Sequence, residues 1–310
     1  MYMGKAPVPD LTDDEVLIEV KAAALNRADI LQRKGLYPPP TGASEILGME
    51  VAGRVVKTAS GARKWEGVNV MALLSGGGYA EYVVVHKSLI LRAPDNLDIN
   101  QAAGIMEAFL TGWQALSWLG GLKPNEKVLI HAGASGIGSA CIQLAKSLGA
   151  EVLVTASDTK HKVCKQLGAD YCIDYHQDEF NVVIKERIPS GVNLVVDFIG
   201  TSYFKKNLTS LAVDGRLIML GFLGGMGSED LSLAPILAKR LTIIGSTLRS
   251  RSLQYRGKLV DDFREHCYGH FKTGKLTPVI DRVFPWQDVK QAHQYMEENK
   301  NIGKVILKVD

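Results

Sequence analysis

A glycine-rich turn at residues 127–138 (KVLIHAGASGIG) has the residue types and spacing of a phosphate-binding loop. An apolar run at 128–130 predicts a strand that leads into Gly133-x-Ser135-x-x-Gly138 and then into a helix. A complete dinucleotide fingerprint has glycine at all three positions, and serine holds the middle one here. Gly133 permits a sharp reversal and Gly138 lets the helix lie close to the sheet. Backbone N–H groups at the helix start can then bind a pyrophosphate.

The elements after this turn alternate between helix and strand, which strengthens an otherwise weak motif. A helix at 136–148 ends at Gly149, and an apolar strand follows at 151–156. Further predicted elements are a strand at 172–174, a helix near 178–188, a strand at 194–198, a helix near 203–211 and strands at 216–220 and 241–245. Continuous apolar strands between helices indicate an α/β fold with a parallel, doubly wound sheet.

The first hundred residues have a different pattern. Alternating apolar positions predict short strands of an antiparallel β domain at 15–21, 51–56, 68–73 and 79–85. Residues 25–40 read as a helical turn followed by three prolines. This segment is either a connector or one wall of a substrate cleft.

The pattern changes again outside the alternating region. We expect a helix at 101–119, one long helix at 254–272, a strand at 279–284, a helix at 287–298 and a strand at 304–309. A strand beyond the last helix–strand unit most simply rejoins the first domain. The predicted domains are therefore 1–110 with 249–310, and an inserted cofactor domain at 111–248.

Composition excludes several classes of function. The chain has 310 residues, 46% hydrophobic and 22% charged, with a net charge of +3. This small charge does not favour nucleic acid or membrane surfaces, and no apolar run has the ~20 residues of a membrane span. The first residues (MYMGKAPVPD) lack a secretory signal, so we expect a cytoplasmic protein.

Cysteine and histidine spacing predicts no metal site. Cys141, Cys164, Cys172 and Cys267 stand far apart and read as buried thiols in a reducing compartment. His131 ends the first cofactor strand. Its side chain there either makes a structural hydrogen bond or has a catalytic role.

Several segments together resemble the zinc-free quinone oxidoreductases of the medium-chain dehydrogenase/reductase superfamily. The resemblance rests on EVLIEVKAAALNRADILQRKGLYPPP, ILGMEVAG, GGGYAEYVVV, EAFLTGWQAL, VLIHAGASGIG, VNLVVDFIG, DGRLIMLG and NKNIGKVIL. It implies a Rossmann domain inserted into a GroES-like β domain. Members usually carry a further hairpin before the segment that starts this sequence, so a shortened first domain is expected.

The resemblance also implies that the metal sites of zinc-dependent members are absent. The segment that supplies their cysteine ligand reads Asn26-Arg27-Ala28-Asp29, and Met49 replaces their histidine. Their four-cysteine lobe has no counterpart. Without a Lewis acid, an already electrophilic acceptor such as a quinone or a conjugated enone is favoured over an alcohol.

By resemblance, Asn26 and Tyr37 border the nicotinamide and the acceptor. Tyr37 would stack on a quinone and donate its hydroxyl to the developing hydroquinone oxygen, unless it only packs against the proline loop. Leu31 replaces a second tyrosine of the family, which makes the pocket less polar.

The end of the second cofactor strand predicts the choice of cofactor. NAD-binding proteins usually have an acidic residue here, and Ser157 stands in its place. Lys160 follows, and Tyr175 matches a phosphate-holding tyrosine of the relatives. These residues favour NADPH, whereas Asp158 favours NADH.

Other cofactor residues are assigned by position or by resemblance alone. They lie after predicted strands or at positions matched in the family: Thr111, Gly136, Ile137, Gly221, Phe222, Leu223, Ser246, Leu248 and Asn301. The last strand of the cofactor domain resembles an edge that pairs in family dimers, so a homodimer is expected.

Three functions are compatible with these residues. The first is NADPH-dependent reduction of quinones or reactive enones. The second is reduction of 2-enoyl thioesters, in which Arg249, Arg251 and Arg256 would line a basic channel; otherwise these arginines form a solvated face. The third is a non-enzymatic, crystallin-like NADPH-binding protein.

Overall fold

The computed structural model describes residues 1–227 and 232–309, which form two compact units. Unit 1 comprises Met1–Leu110 and the chain from Leu248 onward, and unit 2 comprises Thr111–Thr247. The strands are β1 (Glu15–Ala24), β2 (Glu50–Thr58), β3 (Asn69–Leu73), β4 (Tyr82–His86), β5 (Ile90–Arg92), β6 (Lys127–Ile130), β7 (Glu151–Ala156), β8 (Tyr171–Asp174), β9 (Val192–Asp197), β10 (Leu211–Met219), β11 (Thr242–Gly245), β12 (Ile280–Pro285) and β13 (Lys304–Lys308).

The α-helices are α1 (Arg27–Arg33), α2 (Ile99–Ala103), α3 (Met106–Trp113), α4 (Gly136–Ser147), α5 (Asp158–Gln166), α6 (Phe180–Arg187), α7 (Thr201–Ser210), α8 (Ala234–Ala238), α9 (Leu253–His266), α10 (Tyr268–Lys272) and α11 (Val289–Glu297). No helix in the described ranges is long and apolar enough to cross a membrane.

Unit 1 is built on a seven-stranded, mostly antiparallel sheet. Its order is β12-β13-β1-β2-β3-β5, and β4 pairs with β1 outside this path. The prediction that the last strand rejoins the first domain is confirmed, because Ala22 of β1 pairs with Lys308 of β13. Alternate residues of β1, such as Val16 and Ile18, are completely buried.

Unit 2 is built on a six-stranded parallel sheet of order β11-β10-β9-β6-β7-β8. The predicted doubly wound α/β architecture is confirmed. The chain first builds outward from β6 to β8 and then from β9 to β11, so the order reverses between the neighbours β6 and β9. Ligands bind outside the carboxyl ends of such strands near this reversal.

Two predicted helices are interrupted in the structure. The helix expected at 254–272 is wrong as one element, because Cys267 separates α9 from α10 and ends the first with an N–H bond to Phe263. The helix expected at 101–119 is divided into α2 and α3, and Gln114–Leu119 continues with π-helical hydrogen bonds. A single sequence period does not show such local changes.

Candidate active site

A buried lysine holds the centre of a polar network in unit 1. The Lys304 Nζ donates to Glu50 Oε1 at 2.6 Å, to Asn26 Oδ1 at 2.7 Å and to the Leu25 carbonyl at 2.9 Å. The Asn26 amide also donates to Glu50 Oε1 at 3.0 Å. These contacts join the ends of β1, β2 and β13, and all three ammonium protons have acceptors.

A second buried carboxyl extends this network through α1. Asp29 Oδ2 accepts from the Asn26 N–H at 2.8 Å, and its Oδ1 accepts from the Gly48 N–H at 3.1 Å. The Tyr79 hydroxyl donates to Asp29 at 3.2 Å and lies 3.3 Å from His293 Nε2. Burial raises the pKa of Asp29 to about 6 and lowers that of His293 to about 4.

Glu107 at the start of α3 is buried next to the same network. Its N–H donates to Glu50 Oε2 at 2.9 Å. Its own Oε2 has no hydrogen-bond partner within the described part of the chain. Burial, followed by the charge of Glu50, raises the pKa of Glu107 to about 8. The side chain is therefore protonated at neutral pH.

Tyr37 lies beside Arg249 in unit 1. The Arg249 guanidinium stands 5.5 Å from the centre of the Tyr37 ring. Burial, followed by the charge of Glu107, raises the pKa of the half-buried Tyr37 hydroxyl, and the charge of Arg249 opposes this shift. The prediction of a solvated arginine face is wrong for Arg249, which is only 4% exposed.

The donor set around Glu50 does not fit a zinc ion. Zinc requires cysteine, histidine or carboxylate ligands, whereas the groups bonded to the Glu50 carboxylate are an ammonium, a side-chain amide and a backbone N–H. The Lys304 ammonium already binds the oxygens of Glu50 and Asn26. A metal cation bound there would have to displace the ammonium, and two positive charges would then lie close together in a buried site. Within residues 1–227 and 232–309, no three His, Cys, Asp or Glu side chains could hold a metal.

The glycine-rich turn of unit 2 lies between β6 and α4, as predicted, but the roles of its residues differ. The reversal is made by Ala132, at φ 49°. Gly133 is required because a Cβ there would lie 2.7 Å from Val154 on β7. A Cβ on Gly138 would lie 2.2 Å from the Ala132 carbonyl oxygen, so this glycine lets the helix meet the loop backbone.

Ser135 caps the helix that the turn opens. Its Oγ accepts from the Gly138 N–H at 3.0 Å. The N–H groups of Gly136 and Ile137 lie in the first turn of α4, where an anion is favoured. The backbone N–H groups of this helix start are therefore chemically suited to a pyrophosphate.

The predicted 2′-phosphate residues follow two paired strands. Ala156 of β7 pairs with Asp174 of β8, so Ser157 and Tyr175 begin neighbouring loops at one sheet edge. Lys160 lies in the first turn of α5. The Asp158 side chain is 78% exposed and stands 3.6 Å from His161 Nδ1.

The remaining predicted cofactor residues fall into two groups. In unit 2, Gly221, Phe222 and Leu223 follow β10, Ser246 follows β11, and Thr111 has a buried Oγ1 with no bond among the described residues. In unit 1, Leu248 is buried and the Asn301 amide donates to the Gly303 carbonyl at 2.8 Å.

His131 has a structural environment. It is completely buried, and its ring nitrogens bond Thr155 Oγ1 at 3.0 Å and Asn207 Oδ1 at 2.7 Å. Asn207 in turn donates to Asp197 at 3.1 Å. Burial lowers the pKa of His131 to about 4, so the ring is neutral and ties β6 to α7.

One cysteine differs from the sequence prediction. Cys141, Cys164 and Cys267 are buried, but Cys172 on β8 is only half-buried. A hydrogen bond with the Cys164 thiol lowers the pKa of Cys172 to about 7.

Sequence reasoning missed Lys304, Glu107 and the burial of Arg249. Lys304 stands in an apolar strand (KVIL), where an isolated lysine is unexpected, and this pattern was the available signal. Glu107 likewise interrupts an apolar helix. Nothing near Arg249 in the sequence distinguishes it from Arg251.

Comparison with known proteins identifies the family. Residues 12–95 match the model of the alcohol dehydrogenase GroES-like domain, and residues 136–264 match that of the zinc-binding dehydrogenases. The synaptic vesicle membrane protein VAT-1 homolog of Rattus norvegicus is 31% identical over 308 residues, which cover 94% of this chain and 76% of the relative. This chain belongs to the medium-chain dehydrogenase/reductase superfamily.

Solved structures similar to this medium-chain dehydrogenase/reductase have different names. A mycobacterial protein in complex with NADPH has a TM-score of 0.88 at 28% identity, covering 98% of this chain and 94% of its own. A mycobacterial quinone oxidoreductase has a TM-score of 0.84 at 28% identity, with the same coverage of both chains. The CurK enoyl reductase has a TM-score of 0.85 at 26% identity, covering 100% of this chain and 94% of its own. An NAD-dependent alcohol dehydrogenase has a TM-score of 0.86 at 30% identity, covering 99% of this chain and 95% of its own.

Proposed function

We propose that this protein is a zinc-free, NADPH-dependent reductase of quinones, with reactive enones as further acceptors. Among family members, the segments quoted above favour the group of the tumour-suppressor-inducible quinone oxidoreductase. The similar mycobacterial quinone oxidoreductase supports the reaction, and the mycobacterial NADPH complex supports the cofactor.

The observation that carries this proposal is the Lys304 ammonium on Glu50 and Asn26. Lys304 balances the charge of Glu50 and occupies the amide oxygen of Asn26, so these groups would not polarise an alcohol by metal coordination. An acceptor must then already be electrophilic, which a quinone or a conjugated enone is. An ammonium with all three protons bonded also keeps the surrounding oxygens fixed.

Residues of unit 2 would hold the cofactor. The helix start at Ser135, Gly136 and Ile137 would bind the pyrophosphate, and Ser157, Lys160 and Tyr175 would hold the 2′-phosphate. Bound NADPH supplies a hydride. Glycine at 133 lets the loop lie against Val154 of β7, and glycine at 138 lets the helix start meet the loop backbone.

Residues of unit 1 would orient the acceptor. We assign Tyr37 a hydrogen bond to the acceptor oxygen, on which negative charge develops during reduction. The raised pKa of Tyr37 keeps its hydroxyl protonated and able to donate at neutral pH. Asn26, fixed by Lys304, Glu50 and the Ala24 carbonyl, would shape the floor of this site.

Reduction of 2-enoyl thioesters is the second candidate. The similarity to an enoyl reductase and the buried Arg249 favour it. A turnover panel of ortho- and para-quinones, enones and enoyl thioesters, each with NADPH and NADH, distinguishes these functions. We expect quinones to have the highest kcat/KM. Preferred enoyl thioesters would select the second candidate, and no turnover with retained NADPH binding would select the crystallin-like function.

We also propose a homodimer formed through unit 2. β11 is the last strand of the described parallel sheet, and the exposed Leu233 and Leu237 lie shortly before it in the sequence. An edge strand of this kind pairs readily with a second copy. Light scattering should give twice the mass of one chain. Ile244→Asp, which places a charge on β11, should reduce the measured mass to that of a single chain.

A further inference from the structure

Two arginines of unit 1 converge on Ser75. The Arg249 Nε donates to the Ser75 carbonyl at 2.8 Å, and one Arg256 Nη donates to the Ser75 hydroxyl at 2.7 Å. The other bonded nitrogen of Arg249 donates to the Gln32 amide oxygen at 2.8 Å. All three acceptors are neutral, so these bonds position the guanidiniums without balancing their charge.

Each guanidinium retains a buried nitrogen that has no partner. These are Nη1 of Arg249 and Nε of Arg256, counted over the described residues. Burial also lowers the pKa of Arg256. Each guanidinium therefore keeps one donor that the described residues do not use, and a buried cation is stabilised by a group of opposite charge.

The charge of Glu107 would act on Tyr37, Arg249 and Arg256 alike. Glu107 is protonated at neutral pH because burial and Glu50 oppose its ionisation. It does not neutralise the two arginines. Positive charge is thus left near the half-buried Tyr37 ring, whose centre lies 5.5 Å from the Arg249 guanidinium.

We infer that Arg249 and Arg256 form a binding site for an acidic group, a carboxylate or sulfonate, on an aromatic acceptor that contacts Tyr37. One unpartnered nitrogen of each guanidinium would donate to such a group, and the bonds to Ser75 and Gln32 hold both guanidinium planes fixed, which suits arginine better than lysine. That the acidic group is carried by the acceptor rests on the proposed function. The anion site itself is inferred only from the two guanidiniums and their bonds to Ser75.

The first experiment measures binding without turnover. Naphthalene-2-sulfonate and neutral 2-naphthol are titrated into the full chain, free and NADPH-loaded, by calorimetry. We expect the sulfonate to bind at least about tenfold more tightly than the naphthol. Arg256→Gln and Arg249→Gln should remove most of this preference, and Arg249→Lys should keep part of it. Melting temperatures establish that each variant is folded.

The second experiment measures kcat/KM for 1,4-naphthoquinone and its 2-sulfonate. The ratio of sulfonate to neutral quinone should fall about ten- to a hundredfold in both glutamine variants. Arg264→Gln is the matched control, because Arg264 is an exposed residue of α9 paired with Asp261. Its ratio should match the wild type.

The outcomes separate the two proposals. Equal binding of sulfonate and naphthol, or a preference kept in both glutamine variants, would overturn the inference. A loss of NADPH affinity in the glutamine variants, with an unchanged preference for the sulfonate, would also overturn it. The two arginines would then bind a phosphate of the cofactor. Sulfonate binding without turnover of any quinone would reject the proposed function and leave the anion site in place.

Discussion

The Lys304 ammonium and the Asn26 amide oxygen are 2.7 Å apart although 278 residues separate them in sequence. Lys304 comes from β13 and Asn26 from the residue before α1. Their bond depends on the pairing of β13 with β1, so the geometry of the candidate site is set by the sheet of unit 1. Shifting that register by one residue would turn Lys304 to the opposite face.

Removing Lys304 should be strongly destabilising. Lys304→Met leaves the Glu50 carboxylate buried without its cation, at a cost of about 3–5 kcal/mol. The double variant Lys304→Met with Glu50→Gln should recover part of this loss. Urea unfolding measures both variants. Arg240→Gln, which breaks an exposed pair with Asp214, is the control and should leave the stability nearly unchanged. A double variant no more stable than Lys304→Met would contradict this account.

The pH dependence of stability should depend on Glu107. Its pKa in the folded protein is about 8, so the folded protein keeps a proton that the unfolded chain releases near pH 4.5. Stability therefore falls as pH rises between these values. In Glu107→Gln this fall should be smaller by more than about 1 kcal/mol between pH 5 and 8. Parallel stability curves for the two proteins would mean that Glu107 ionises normally.

Two substitutions of Tyr37 distinguish the contribution of its ring from that of its hydroxyl. Tyr37→Ala should lower kcat/KM for quinones about ten- to a hundredfold, or about 1.4–3 kcal/mol. Tyr37→Phe should retain the contribution of the ring and lose that of the hydroxyl. NADPH dissociation constants serve as the control and should remain unchanged. An unaltered quinone rate in Tyr37→Ala would reduce this residue to loop packing.

Lys160 should determine the preference for NADPH. A lysine paired with a partly exposed 2′-phosphate contributes on the order of 1–2 kcal/mol, so Lys160→Ala should weaken NADPH about five- to thirtyfold. NADH lacks this phosphate and should bind almost as before. High salt should reduce the effect. Equal losses for both cofactors, or a wild type that prefers NADH, would assign the choice to Asp158.

Catalysis should not depend on zinc. Activity should survive dialysis against a strong chelator, and elemental analysis should find no stoichiometric zinc, because the donor set around Lys304 does not suit it. A matched zinc-dependent family member should lose activity under the same treatment. One tightly held zinc per chain would refute the zinc-free assignment.

The sequence predicted the fold well because its signals are local and repeated. The apolar strand and glycines near Ser135 predicted the β6–α4 unit, and alternation predicted the parallel sheet. The role of Ala132 was missed because a left-handed alanine has no sequence signature.

The candidate site of unit 1 was less predictable. Lys304, Glu50 and Glu107 meet only through tertiary pairing, and a residue's spacing along the chain does not encode that contact. Arg249 shows the same limit, because the oxygens that bind it come from Ser75 and Gln32. Burial of a charged group is decided by partners that are distant in sequence.

The placement of β13 between β1 and β12 affects how the chain can fold during synthesis. All strands of unit 2 leave the ribosome before Lys304 does, so its parallel sheet can form early. The first strands of unit 1 are synthesised first, but β1 lacks its neighbour β13 until residues 304–308 have emerged. During that interval Glu50 lacks the Lys304 ammonium, and the half-built sheet has an unpaired strand edge.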